Sequence, residues 1–437
     1  MPYDVIIGRD DSDKIKFGKE GLIYLGKSYV NMGTTSSLVN PVFMDVARSH
    51  VVLIAGKRGS GKSYTLGVIA EEMANLPDEV GQNIATLIFD TMGIFWTMAY
   101  ANDKELELLK SWDLQAKKLP VRVFAPMGFA EEYKEMGIPI EKGFAFKASE
   151  ITIDDWSATF GLDMLNPASI AMQRNIAKLQ ESGKDYDIDT IIETIRNDRE
   201  SPNETISAAI NLFEAAKTWG IFVKRGEKGT SIDELIQGGK TTIMDLSTYS
   251  STAAFNVRAL VIGLITKKLF LQRTLSRKKE EVEAVNRGLE YLKYKEKRDM
   301  PLVWLLIDEL HEFLPEHGKT AATDALIQLL REGRQPGISL AGATQQPGKV
   351  HSDVWTQSDI VISHRVTAKP DVTALSTIMQ TYLSEDINTF MNELPNSKGS
   401  AIILDDNSER IYPIRTRARF TWHGGESPTS VKIKRRV

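Results

Sequence analysis

An α/β fold with a mostly parallel sheet is the architecture this sequence predicts, and three observations predict it. Short runs of β-branched and small apolar residues alternate with stretches of helical periodicity, the pattern of parallel strands joined by helices. The stretch "VVLIAGKRGSGKSYTLGVIAEEM", from Val51, passes from such a strand through a glycine loop into a helix. The chain has 437 residues, 42% hydrophobic and 26% charged, enough for one large α/β domain with inserts or for two or three domains.

The elements follow in order. Residues 1–48 carry the alternating stretches "DVIIG", "IKFG" and "GLIYLGKSYV", which predict a small β subdomain. Residues 49–150 open the core. Val51 to Ala55 form a strand, and Ser63, Leu66, Val68, Ile69 and Met73 share one face of the next helix. "IATLIFD" (Ile84 to Asp90) and "VRVFAP" (from Val121) are further strands. Over 151–236 the periodicity turns helical, in "DIDTIIETIRNDRE" and "ETISAAINLFEAAKTWG", with Asp187 or Asp189 capping the first. The core resumes over 237–410. It holds the strand "TTIMDLS", the helix "AAFNVRALVIGLITKKLFLQRT" and the charge-dense helical stretch "LSRKKEEVEAVNRGLEYLKYKEKRD", a solvated face or a docking surface. The strand of "PLVWLLIDELHEFLP", the helix "ATDALIQLLREGR" and the strands "ISLAGATQQP" and "DIVISHRV" complete it. Residues 411–437 give an alternating strand, "RIYPIRTRARF", and a basic end, "KIKRRV".

Composition limits the chemistry. A net charge of −4 excludes a globally basic nucleic-acid binder, so any DNA affinity must come from a local patch. With no cysteine there are no disulfides, thiol nucleophiles or thiolate metal ligands. The polar opening "MPYDVIIGRDDSDKIKFGKE" is not a signal peptide, and "ALVIGLIT", from Ala259, is too short to span a bilayer. A soluble, cytoplasmic protein is expected.

The glycine loop fits G-x-x-x-x-G-K-[ST] at Gly56, Gly61, Lys62 and Ser63. Backbone N–H groups of such a loop, here Gly56, Lys57, Arg58, Gly59, Ser60, Gly61, Lys62, Ser63 and Tyr64, point inward and can cradle a triphosphate. Lys62 would reach the β- and γ-phosphates and the Ser63 hydroxyl would bind Mg²⁺. "WLLIDE" sets Asp308 and Glu309 at the carboxyl end of a strand, the edge where open α/β sheets bind ligands. Asp308 suits the Mg²⁺ carboxylate, and Glu309 suits the polarisation of an attacking water. The chain has no N-K-x-D and no "LSGGQ". Both absences favour ATP over GTP, and a RecA-like core with extra strands between the loop and the acids. Thr344 and Gln345 end a later strand and could contact the γ-phosphate, or simply make a turn before Pro347. Arg331 and Arg334, at a helix end, could complement the helix C-terminus or stabilise phosphate charge in a neighbouring subunit.

"GKRGSGKSYTLGVIAEE", "LIDELHEFLP", "REGRQPGISLAGATQQP" and "RTRARFTWHGG" together resemble the HerA branch of the HerA–FtsK ATPases, the DUF87-type proteins. The resemblance spans about residues 20–425. It implies a hexameric ring that hydrolyses ATP with Mg²⁺ and moves double-stranded DNA through a central channel, with a NurA-like nuclease as a possible partner. By the same resemblance Lys62 and Ser63 match Walker A, Asp308 and Glu309 Walker B, Gln345 the sensor, and Arg334 the finger acting in trans. Asp90, in "FDTMGIF", stands where the family often has a D-P-H-G-E-Y-like turn, with Ile94 at the glutamate position. The family's N-terminal barrel would be partial here.

Three functions fit these features: a DNA translocase or helicase; a P-loop motor for secretion, conjugation or packaging; or an ATP-gated assembly module of a defence or nuclease complex. Basic residues on a ring's inner face would favour the first. Candidates are Lys224, Arg225 and Lys228, and also Arg415, Arg417 and Arg419, which alternate along one strand face.

Overall fold

Thirteen strands make a single sheet among the described residues: β1 (Val5–Ile7), β2 (Leu22–Met32), β3 (Thr35–Asp45), β4 (Val51–Ala55), β5 (Ile84–Asp90), β6 (Arg122–Pro126), β7 (Ile140–Phe144), β8 (Thr241–Asp245), β9 (Leu302–Ile307), β10 (Ile338–Thr344), β11 (Ile360–His364), β12 (Ser400–Asp405) and β13 (Arg410–Thr416). The structure, a computed structural model, describes residues 3–32, 35–249, 255–287, 298–379, 391 and 394–425. The spatial order is β1-β3-β2-β13-β12-β11-β4-β10-β9-β5-β8-β6-β7.

From β11 to β7 every neighbouring pair is parallel, while β12, β13, β2 and β3 pair antiparallel. This is the α/β architecture with a mostly parallel sheet that the sequence predicts. Period-two alternation sorts the core strands onto two faces. Leu53, Leu87, Phe89, Leu305 and Ile307 face one core cluster, and Val52, Ile54, Ile88, Trp304 and Leu306 face the other. The helical stretch around Ile188–Arg196 and Asn203–Lys217 feeds the first cluster, and the helix Lys62–Met73 feeds the second. Asp187 is the cap of the former, its side chain accepting from Thr190 N at 2.9 Å.

Register positions the site. Ala55 lies opposite Thr344, Ile307 opposite Gly342 and Phe89, and Asp90 opposite Asp245. Five adjacent strands therefore end together, and the residues after them share one edge.

Local expectations differ at several places. "IKFG" is not a strand but the end of a helix, Asp11–Phe17. Asp10 caps it by accepting from Asp13 N at 2.8 Å, Asp11 and Asp13 occupy its first turn, and Gly18 ends it at φ 55°. Helix-start chemistry there outweighs a four-residue alternation. β3 carries Thr, Ser, Asn and Pro, so its strand signal is weak, yet it pairs with β2 throughout. The charge-dense stretch continues the preceding helix, Phe255–Arg287, over 33 residues. Its last part, 288–297, and the basic end "KIKRRV" lie outside the described residues. Among the described residues no helix is long and apolar enough to cross a membrane.

Candidate nucleotide site

β4 delivers the glycine loop to the carboxyl edge of the sheet, and the helix Lys62–Met73 starts from it. Two glycines are required by shape. A Cβ on Gly56 would stand 2.5 Å from Ser60 Oγ and 2.7 Å from His364 Cβ. Gly61 begins the helix at φ 117°, a conformation L side chains rarely adopt. Lys57, Arg58 and Gly59 are exposed, Ser60, Gly61, Ser63 and Tyr64 half-buried, and Lys62 buried. Lys62 Nζ donates to Lys57 O at 3.2 Å. Burial lowers its pKa, against the pull of the Glu309 and Asp308 carboxylates.

Asp308 is buried at the end of β9. Its Oδ1 accepts from Glu309 N at 2.9 Å, while Oδ2 has no hydrogen-bond partner. Burial raises its pKa, and the nearby Ser63 hydroxyl and the Glu309 N–H oppose the rise. Glu309 follows at φ 54°, one of three non-glycine residues with positive φ among the described residues. Such a conformation persists only where its surroundings hold it. Gln345 Nε2 donates to Glu309 Oε1 at 3.2 Å, and Oε2 has no hydrogen-bond partner. Burial, then the neighbouring Asp308 charge, pushes Glu309 up to about 7.

The structure thus brings Lys62, Ser63, Asp308, Glu309 and Gln345 together. Tyr64 turns aside: its hydroxyl accepts from Arg419 N at 2.6 Å and its ring meets His423 edge-on. Asp90 serves its own turn, accepting from Met92 N, Gly93 N and Phe95 N at 2.7–3.2 Å. Burial and the adjacent Asp245 raise it to about 7. Arg334 is exposed near the start of β10, the opposite sheet edge from Gln345. Seven strand residues separate those edges, about 20 Å. Within one chain it does not meet this site. Arg331 instead pairs with Asp353 at 2.7 Å.

Two histidines that the sequence reading did not single out belong here. His364, buried at the end of β11, has Nδ1 3.1 Å from Ser400 O and Nε2 2.9 Å from Thr65 Oγ1. A carbonyl only accepts, so Nδ1 carries the proton and Nε2 accepts from Thr65. Burial keeps the ring neutral, at about 4. His311, two residues past Glu309, has Nδ1 3.2 Å from Thr344 Oγ1 and Nε2 3.3 Å from Gln346 Nε2. Burial, with Lys62 and Lys349, lowers it to about 4. "DELH" held one signal, a histidine beside the acids; "ISH" held another, at a strand end.

The basic candidates divide. Lys224, Arg225 and Lys228 are exposed. Arg415 is half-buried, over the Trp112 ring at 5.9 Å. Arg417 and Arg419 are fully buried, which corrects their placement on an accessible basic face. β13 ends at Thr416, and the chain then crosses the helix Lys62–Met73, where Glu71 and Glu72 neutralise both guanidiniums.

A family model described as helicase HerA, central domain, matches residues 30–269. The chain is 24% identical over 382 residues to a probable DNA double-strand break repair helicase HerA of Methanocaldococcus jannaschii, covering 80% of this chain and 69% of that protein. It is 27% identical over 171 residues to the DNA double-strand break repair helicase HerA of Pyrococcus furiosus, 37% of this chain and 30% of that one. Among solved structures, VirB4 of Thermoanaerobacter pseudethanolicus superposes with a TM-score of 0.55 at 12% identity, over 92% of this chain and 97% of that chain. The unbound bacterial conjugative coupling protein TrwBdeltaN70 gives 0.52 at 11% identity, over 93% and 95%. At such identities the two structures speak for the fold.

Proposed function

The chain belongs to the family described as the central domain of helicase HerA, and we propose that this P-loop ATPase works as a ring, likewise hexameric, that moves along or unwinds double-stranded DNA. One observation carries the reading: Lys62, Ser63, Asp308, Glu309 and Gln345 converge on one sheet edge, with Asp308 Oδ2, Glu309 Oε2 and Ser60 Oγ buried and unpartnered.

Those orphan oxygens and the glycine cradle fit a nucleotide with its cation. Mg²⁺ bound there would neutralise phosphate charge. Ser63 and Asp308 are the residues that would hold it. Backbone N–H groups of the loop between Gly56 and Tyr64 bind the phosphates, apart from Lys57 N, which donates to Arg365 O at 2.9 Å, and Ser60 N, which donates to Lys57 O at 3.1 Å, with Lys62 as the fixed positive charge. Glu309 orients the attacking water and takes its proton at Oε2, while Gln345 holds Oε1. Arg334 reaches the phosphate of the adjacent subunit. Lys224, Arg225 and Lys228 contact DNA through phosphates, without reading sequence.

The test is ATP turnover with and without linear duplex DNA, alongside a native mass measurement. Duplex should raise turnover, and affinity should fall steeply between low and moderate salt as counterions are released. Glu309→Gln should bind ATP and lose turnover by about 10² or more. No duplex affinity at low salt would remove DNA from the reading.

A further inference from the structure

Glu309 sits in a left-handed backbone conformation, so its aim depends on what holds its side chain. Gln345 holds one oxygen. The other, Oε2, lies 3.5 Å from His311 Nδ1, too far for a hydrogen bond and close enough to become one. The proton on His311 can be placed by chemistry. Gln346 Nε2 only donates, so His311 Nε2 accepts and Nδ1 carries the hydrogen. That hydrogen has two acceptors in reach, Thr344 Oγ1 at 3.2 Å and Glu309 Oε2 at 3.5 Å. A small rotation of the ring moves it from one to the other.

The far side of the ring meets a segment that is tied on both flanks. Gln346 N donates to Thr344 Oγ1 at 3.1 Å, and Lys349 N to Gln346 O at 2.9 Å. Glu316 N donates to Lys349 O, and His351 N to Leu314 O, each at 2.9 Å. Gly348 N donates to Asp371 Oδ1 at 3.0 Å, reaching the helix Lys369–Met379. A shift of Gln346 is therefore felt by residues 346–351 as a unit.

We propose that His311 is a positioning residue with two outputs: through Nδ1 it sets the aim of Glu309, and through Nε2 it passes the state of Glu309 to residues 346–351. This rests on reading Glu309 as the residue that activates water. The imidazole is suited to it because its two nitrogens are fixed on one rigid ring. When Glu309 turns toward the phosphate, Nδ1–H loses or gains a partner, and the ring's tilt displaces Nε2 from Gln346.

The two outputs can be separated. An asparagine amide reaches about as far as Nδ1 and falls short of Nε2, while phenylalanine keeps the ring and removes both nitrogens. The experiment measures kcat and KM for ATP. It also follows hydrogen exchange of residues 346–351 with and without a non-hydrolysable ATP analogue, in wild type, His311→Phe and His311→Asn. His311→Phe should lower kcat about tenfold, the scale of one hydrogen bond lost from the transition state, with KM within about twofold. His311→Asn should recover most of that kcat. In both variants the analogue should no longer alter exchange over 346–351. Wild-type kcat in His311→Phe, or a wild-type exchange response in His311→Asn, overturns the proposal. Failure of the underlying reading looks different: Glu309→Gln would then turn over ATP within a few-fold of wild type.

Discussion

Arg419 Nε donates to Glu71 Oε1 at 2.9 Å with both side chains fully shut off from water. Glu71 also accepts from Arg417 Nη1 at 3.0 Å, Phe420 N at 3.2 Å, Thr421 N at 3.0 Å and the Thr421 hydroxyl. One carboxylate on the loop-bearing helix thus fastens the segment that follows β13. Truncating it leaves two guanidiniums buried with too few counter-charges. Glu71→Ala is expected to lose about 3–5 kcal/mol of stability, the cost of breaking rather than replacing a buried ion pair. Urea unfolding measures it, and a loss below about 1 kcal/mol would mean the cluster relaxes into water.

Gly67 tests the same packing with an inverted sign. Glycine to alanine inside a helix ordinarily stabilises by about 1 kcal/mol. Here the added Cβ would stand 2.4 Å from Arg419 Nη1 and 2.7 Å from its Cζ. Gly67→Ala should therefore destabilise by about 1–3 kcal/mol, as overpacking does. A rise in Tm for this variant would contradict the seating of Arg419.

His50 links stability to pH. It is buried between Asp359, 2.6 Å from Nδ1, and Asp45, 3.0 Å from Nε2, with Arg9 also on Asp45. Burial alone would lower its pKa, but the two carboxylates win and raise it to about 9. A folded value above the unfolded 6.5 means the charged ring contributes stability fully below about pH 6.5. That contribution falls away as pH climbs through about 9. The Tm difference between wild type and His50→Gln should be greatest near pH 6 and shrink by pH 9.5. A constant difference across that range would show that the ring is neutral when folded.

Arg334 distinguishes a ring from a lone enzyme. It is exposed and far from its own Gln345 edge. Arg334→Ala should fold, bind ATP and hydrolyse it about 10³-fold more slowly, the scale of arginine fingers. Mixing it with Lys62→Ala, which keeps Arg334 but lacks a working pocket, should restore part of the activity. Normal turnover by Arg334→Ala alone would eliminate the finger.

What the sequence made legible was local chemistry. Gly56 to Ser63 is a strand, loop and helix in one stretch, and Asp308 and Glu309 end a strand whose edge can be inferred from parallel topology. What stayed hidden depends on pairs brought together by the sheet. Thr65 and His364 are 299 positions apart, and Glu71 and Arg419 are 348 apart. Alternation in "RTRARF" put the three arginines on one strand face, but the strand ends at Thr416, and Arg417 and Arg419 lie beyond it. It could not reveal that a glutamate on a distant helix buries Arg417 and Arg419. "IKFG" failed for a different reason, because four residues are too few for period two to outweigh a capped turn.

The strand order also dictates when the nucleotide loop can exist. β4 lies between β10 and β11, so both of its neighbours are encoded far downstream of it. Ala55 and Ile338 are separated by 338 − 55 = 283 positions. At a synthesis rate of about 5–20 residues per second, that is a delay of tens of seconds. For that interval the nascent chain carries an apolar strand and its glycine loop with neither flank to dock on. A chaperone binding newly made Val51–Ala55 would act before any phosphate could.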